Sequence, residues 1–189
     1  MERLHQVLFV VSVLALSWFA MMAIHELGHI AGAIATGGTV QKVVLHPLTI
    51  SRTDVSPNPS PLVVVWLGPI IGSVLPIIIC GLIPKRFPLV RNTAIFFAGF
   101  CLVANGAYIA IGSFEQIGDC GVMLRAGSPQ WTLILFGAFT IPIGILLWHR
   151  LGSVQEFLSD SNRVDPGFTY TVLGALIVTV GLEFLISQK

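Results

Sequence analysis

Apolar residues run in long blocks along this chain, and polar residues collect between them. Crossing a bilayer as a helix takes roughly 20 mostly apolar residues. Five blocks meet that length: residues 7–35, 61–83, 94–111, 131–148 and 168–186. Lys85, Arg86 and Arg91 part the second block from the third, and the stretches 112–130 and 149–166 part the later ones. The first block exceeds the apolar core of a secretory signal. No small-x-small cleavage site follows it, and apolar character resumes after His29 with Ile30, Ala33 and Ile34, so it reads as a retained helix. The pattern predicts an all-α polytopic membrane protein, one domain over residues 1–189 with about five transmembrane helices.

Between the first two blocks the period changes. Residues 40–45 and 48–53 are rich in β-branched side chains, and Leu48-Thr49-Ile50-Ser51 alternates apolar with polar. His46-Pro47 interrupts them. These features predict a small β-hairpin over residues 39–54, lying at the membrane surface. The run Ser56-Pro57-Asn58-Pro59-Ser60-Pro61 then ends regular structure before the second block.

Composition narrows the function classes. Of 189 residues 54% are hydrophobic and only 10% charged, against about 25% charged in a soluble domain. Mean hydropathy is +0.88. Ten Lys and Arg against nine Asp and Glu leave a net charge of +1, so nothing implies a nucleic-acid partner. Cys80, Cys101 and Cys120 are widely separated, which excludes a disulfide framework and a paired-cysteine zinc site.

Against that background His25-Glu26-Leu27-Gly28-His29 stands out. A charged residue inside a membrane helix costs about 2.5–3.5 kcal/mol on insertion scales. On a helix, residues four apart differ by about 40° in direction, so His25 and His29 share a face and can offer two imidazoles to one ion. Glu26 falls on the same flank. This is the H-E-x-x-H arrangement, two zinc ligands with a carboxylate to take a proton from water. Gly28 and Gly32, at G-x-x-x-G spacing, predict close packing of another helix beside the histidines.

Catalytic zinc takes three protein ligands and keeps one position open. The candidates for the third are His5, His46, His149, Glu115, Asp119 and Cys120. If the spans alternate in direction, the first and third run parallel and end at the same face. There stands Gly118-Asp119-Cys120-Gly121, whose glycines allow a loop to fold back, and Asp119 is the expected ligand. Glu115 is the nearest competitor and Cys120 a weaker one. His5 and His149 lie at the opposite face. His46, on the hairpin, and Asn105, an amide within the third span, are candidates for touching substrate.

The chain resembles the site-2 proteases, intramembrane zinc metalloproteases, over roughly residues 20–125. His25-Glu26-Leu27-Gly28-His29 is similar to the family's metal-binding helix, the hairpin to its membrane-associated strands, and Gly68-Pro69 to its Gly-Pro motif. Asp119 with Gly121 is similar to its aspartate motif, although the usual Leu-Asp-Gly is here Gly118-Asp119-Cys120-Gly121. The resemblance implies one Zn²⁺ held by His25, His29 and Asp119, Glu26 as the catalytic carboxylate, and hydrolysis of peptide bonds in transmembrane protein substrates within or near the bilayer. It implies a multi-pass protein of the cell membrane. Two other readings remain: a catalytically silent relative that binds membrane partners, and a metal transporter. The transporter needs polar groups spread through several spans, which the second, fourth and fifth lack apart from Glu183. Arg3, Lys85, Arg86, Arg91, Arg150 and Arg163 on the N-terminal side, against Lys42, Arg52, Arg125 and Lys189 on the other, mildly favour a cytoplasmic N-terminus.

Overall fold

The computed structural model describes residues 2–152 and 166–187. Arg163 and Lys189, used in weighing orientation, lie outside them, as does most of the stretch between the last two spans. In chain order the elements are α1 (Glu2–Ala35), β1 (Val40–Val44), β2 (Arg52–Val55), α2 (Pro61–Leu82), α3 (Pro88–Glu115), α4 (Gly118–Arg125), α5 (Gln130–His149) and α6 (Pro166–Ser187). Among the described residues, every helix except α4 is long and apolar enough to cross a membrane, and the outward faces of these five are apolar, as lipid contact requires.

The helices outrun the apolar blocks that predict them. The third begins at Pro88 and ends at Glu115, not at residues 94–111. Proline suits a helix start because its missing N–H has no partner there anyway. Backbone hydrogen bonding then continues through Arg91, Asn92 and Thr93, which an apolar count leaves out. Likewise α1 starts at Glu2 instead of residue 7.

α1 packs on α2 and on α6, and α3 packs on both α2 and α5. Close approach of α1 to α2 and of α3 to α5 relies on glycine. A Cβ on Gly28 would run into the Leu67 carbonyl, and one on Gly32 would lie 2.9 Å from the Val64 Cα, as the G-x-x-x-G spacing predicts. A second seam, not read from the sequence, joins α3 to α5: a Cβ on Gly144 would lie 2.7 Å from the Gly99 carbonyl, and one on Gly137 2.7 Å from that of Gly106.

The hairpin forms, with a different strand pattern from the one expected. β1 and β2 are antiparallel, with Val43 opposite Thr53, Val44 opposite Arg52 and an irregularity at Gln41. Residues 48–51 belong to the turn and not to the second strand. The His46 carbonyl accepts from the Thr49 N–H at 3.0 Å, closing a turn around Pro47 that leaves Leu48 and Ile50 exposed. The apolar–polar alternation there had no facing strand to pair with.

The largest departure is α4. The segment expected to be a loop is a short helix. α3 stops at Gln116, which takes a left-handed φ of 56°. Gly118 follows at φ 54°, a conformation that favours glycine. These two residues reverse the chain. Cys120 and Met123 of α4 then bury into a core with Val65 of α2, Ile109 of α3 and Leu133 of α5, so Asp119 rides on a packed helix.

Candidate metal centre

α1 delivers His25, Glu26 and His29, all buried. α4 delivers Asp119 in its first turn. The Asp119 Oδ2 lies 2.9 Å from the His25 Nε2 and 3.4 Å from the His29 Nε2. One ligand atom from each of the three residues falls within 4.8 Å of the other two. The expectation that the ends of the first and third spans share a face is met by this juxtaposition.

Hydrogen bonds assign the proton positions. The His29 Nδ1 is 2.9 Å from the Val64 carbonyl, which can only accept, so Nδ1 carries the proton. The Asn105 Nδ2 donates to the Cys101 carbonyl at 2.9 Å, which leaves its Oδ1 to accept from the His25 Nδ1 at 2.7 Å. Both neutral imidazoles therefore turn an Nε2 lone pair toward Asp119. Two lone pairs and a carboxylate oxygen converge with no donor among them. Such a set is satisfied by a proton, giving an imidazolium–carboxylate pair, or by a cation. Two nitrogens and one oxygen are also the donor types of a three-ligand zinc site, so the residues fit that metal.

The rival ligands separate clearly. Glu115 is exposed at the end of α3. The Cys120 Sγ faces the Tyr108 and Ile109 carbonyls, at 3.4 and 3.5 Å. Burial, with the Asp119 charge adding to it, pushes the Cys120 thiol up to about 11, so it stays protonated at neutral pH. Asp119 behaves oppositely. Burial opposes its ionisation, but in the imidazolium–carboxylate form the hydrogen bonds and charges of His25 and His29 outweigh burial, and its carboxyl titrates well below the usual carboxylate range.

Glu26 accepts a hydrogen bond at Oε2 from the Thr53 hydroxyl of β2, at 2.7 Å. A cavity of about 920 Å³ opens over the group, with Glu26, both histidines and Asp119 in its wall and β2 and the hairpin turn forming one side. Asn105, a candidate for touching substrate, lines it as well but has its amide committed to His25 and Cys101. His46 stands elsewhere. Its ring meets Phe184 of α6 edge-on at 4.8 Å, and its Nδ1 accepts from the Leu48 N–H at 3.2 Å.

Two contributors were missed in the sequence. Thr53 is one. Tyr108 is another: its hydroxyl accepts from the Asp119 N–H at 3.1 Å, and its ring lies 6.0 Å from that of His25. Its spacing of three from Asn105 puts both on one face of α3, a signal available from periodicity. Gly68, read in the sequence as part of a Gly-Pro motif, contributes a bare backbone where a Cβ would strike the His29 ring. Comparison with protein-family models, with curated proteins and with solved structures finds no match to this chain.

Proposed function

We propose that this protein is a zinc metalloendopeptidase of the site-2 protease type, an integral multi-pass protein of the cell membrane that hydrolyses peptide bonds of transmembrane substrates. One observation carries the reading: two imidazole lone pairs and a carboxylate oxygen converge beside a second, separately held carboxylate, at the wall of a large cavity. A proton alone would satisfy the first three groups but leaves Glu26 without a purpose, and a buried intramembrane acid is costly to keep.

His25, His29 and Asp119 would hold one Zn²⁺ at the wall of the cavity. The metal supplies there a water of lowered pKa and a Lewis acid for the substrate carbonyl. Asn105 and the Val64 carbonyl hold the two imidazoles in the Nδ1–H tautomer that presents Nε2. Glu26 accepts a proton from the attacking water at its carboxylate and returns it to the leaving amine nitrogen. A helical substrate hides its carbonyls in its own hydrogen bonds and has to unwind to be cut. The cavity beside β2 is where an extended segment fits, along a strand that pairs with β1 on one side.

The test is to purify the full chain, measure zinc per chain, and follow cleavage of a transmembrane peptide in proteoliposomes. Glu26→Gln should keep its zinc and lose cleavage, since an amide cannot accept the proton. Turnover at the wild-type rate by Glu26→Gln would refute the mechanism. Zinc binding by a wild-type protein that cuts nothing would identify a silent binding protein.

A further inference from the structure

Thr53 occupies an unusual place for a residue of a surface hairpin. Along β2 the side chains alternate, with Arg52 and Asp54 exposed and Thr53 and Val55 turned inward. β2 packs on α1, and the inward face brings the Thr53 hydroxyl to 2.7 Å from the Glu26 Oε2. Arg52 and Asp54 point away and lie 3.4 Å from each other.

We propose that Thr53 is a positioning residue for Glu26, so that strand β2 belongs to the catalytic apparatus as well as to the cavity wall. The inference rests on the protease reading for its catalytic consequence, but the contact itself does not. A glutamate's last torsion is broad and close to two-fold, so rotamer preference alone does not fix where its oxygens point. The Thr53 donor ties one oxygen and leaves the other free to take a proton. A carboxylate offers about four lone-pair sites, so one hydrogen bond does not saturate it. The residue type matters. A hydroxyl donates a single hydrogen bond without adding charge. A strand slipped by one residue would present Arg52, whose fixed charge would pair with Glu26 and reduce its basicity, or Asp54, which would repel it. Positional error at a reacting group is expensive, about 100-fold in rate for a misplacement near 1 Å.

The experiment compares wild type, Thr53→Val and Thr53→Ser as full-length zinc-loaded protein in proteoliposomes. Cleavage of the transmembrane peptide provides kcat and KM, and zinc per chain is measured alongside. Thr53→Val should lower kcat about 10–100-fold, as expected for loss of a hydrogen bond to a charged group, with KM and zinc unchanged. Thr53→Ser should restore most of the rate. An unchanged kcat, a loss confined to KM, or a serine variant as slow as the valine one would overturn the proposal. A second arm needs no activity. In metal-free protein, the infrared difference between each form and its Glu26→Gln counterpart isolates the Glu26 carboxylate bands. Thr53→Val should shift those bands and Thr53→Ser should leave them in place. Bands unmoved by valine overturn the positioning role. Absence of cleavage by wild type overturns the protease reading instead, with the infrared arm still deciding on Thr53.

Discussion

Gly68→Ala adds one methyl group at the point where α2 passes His29. The new Cβ would stand 2.5 Å from the ring Nε2 and 2.8 Å from Nδ1, and closer still to Cε1. Ordinary contacts between such atoms lie near 3.5 Å, so something must give by about 1 Å. Neither partner has slack. The ring is held through Nδ1 by the Val64 carbonyl one turn earlier on α2, and a Cβ on Gly28 would lie 2.7 Å from the Gly68 Cα, which shows how closely the two backbones approach. Either the helices part, breaking the Val64 bond, or the imidazole swings off and Nε2 leaves the ligand group. Overpacking of this kind costs about 1–3 kcal/mol. Helix propensity acts the other way, favouring alanine over glycine by about 1 kcal/mol, so melting should change by 2 kcal/mol at most. The site should suffer more, because losing the orientation of a ligand histidine costs about 10–100-fold in metal affinity. Zinc affinity measured against a competing chelator, with thermal melting in parallel, tests this. Gly81→Ala is the control, since a Cβ there meets open space, and it should be neutral or slightly stabilising. A Gly68→Ala protein with wild-type zinc affinity would refute the steric argument.

The remaining predictions concern the proposed zinc ligands. Asp119→Ala should lose most of its zinc, whereas Glu115→Ala and Cys120→Ala should keep it, because one acid is exposed and the thiol faces the α3 backbone; metal analysis of the three purified variants decides. Asn105→Ala leaves the His25 Nδ1–H buried without its acceptor. It should weaken zinc binding about 10–100-fold, measured by the same competition; an unchanged affinity would mean that Asn105 does not orient His25.

Much of this protein is legible in one dimension. Apolar block length marks the five long helices, because a bilayer demands an apolar run whatever the neighbours are. Helical periodicity puts His25 and His29 on one face, and counting crossings brings Asp119 to their end of the bundle. These are consequences of local period and chain direction. Other features depend on how the helices are rotated and how closely they approach. The segment after α3 looked like a loop because Gly118 and Gly121 suggest one, yet its burial against Val65, Ile109 and Leu133 makes it a helix and turns Cys120 away from the histidines. Asn105 was visible as a costly amide, but only the packing of α3 shows that His25 takes its oxygen. His46 was on the expected hairpin and still finds Phe184, because the turn around Pro47 sets its direction. Thr53 carries no signature in the sequence that assigns it to the site, and Gly68 carries only its likeness to a Gly-Pro motif, which says nothing of the His29 ring. One matters for where its single hydroxyl proton lands and the other for an atom it lacks, and both are set by contacts between segments that no local period encodes.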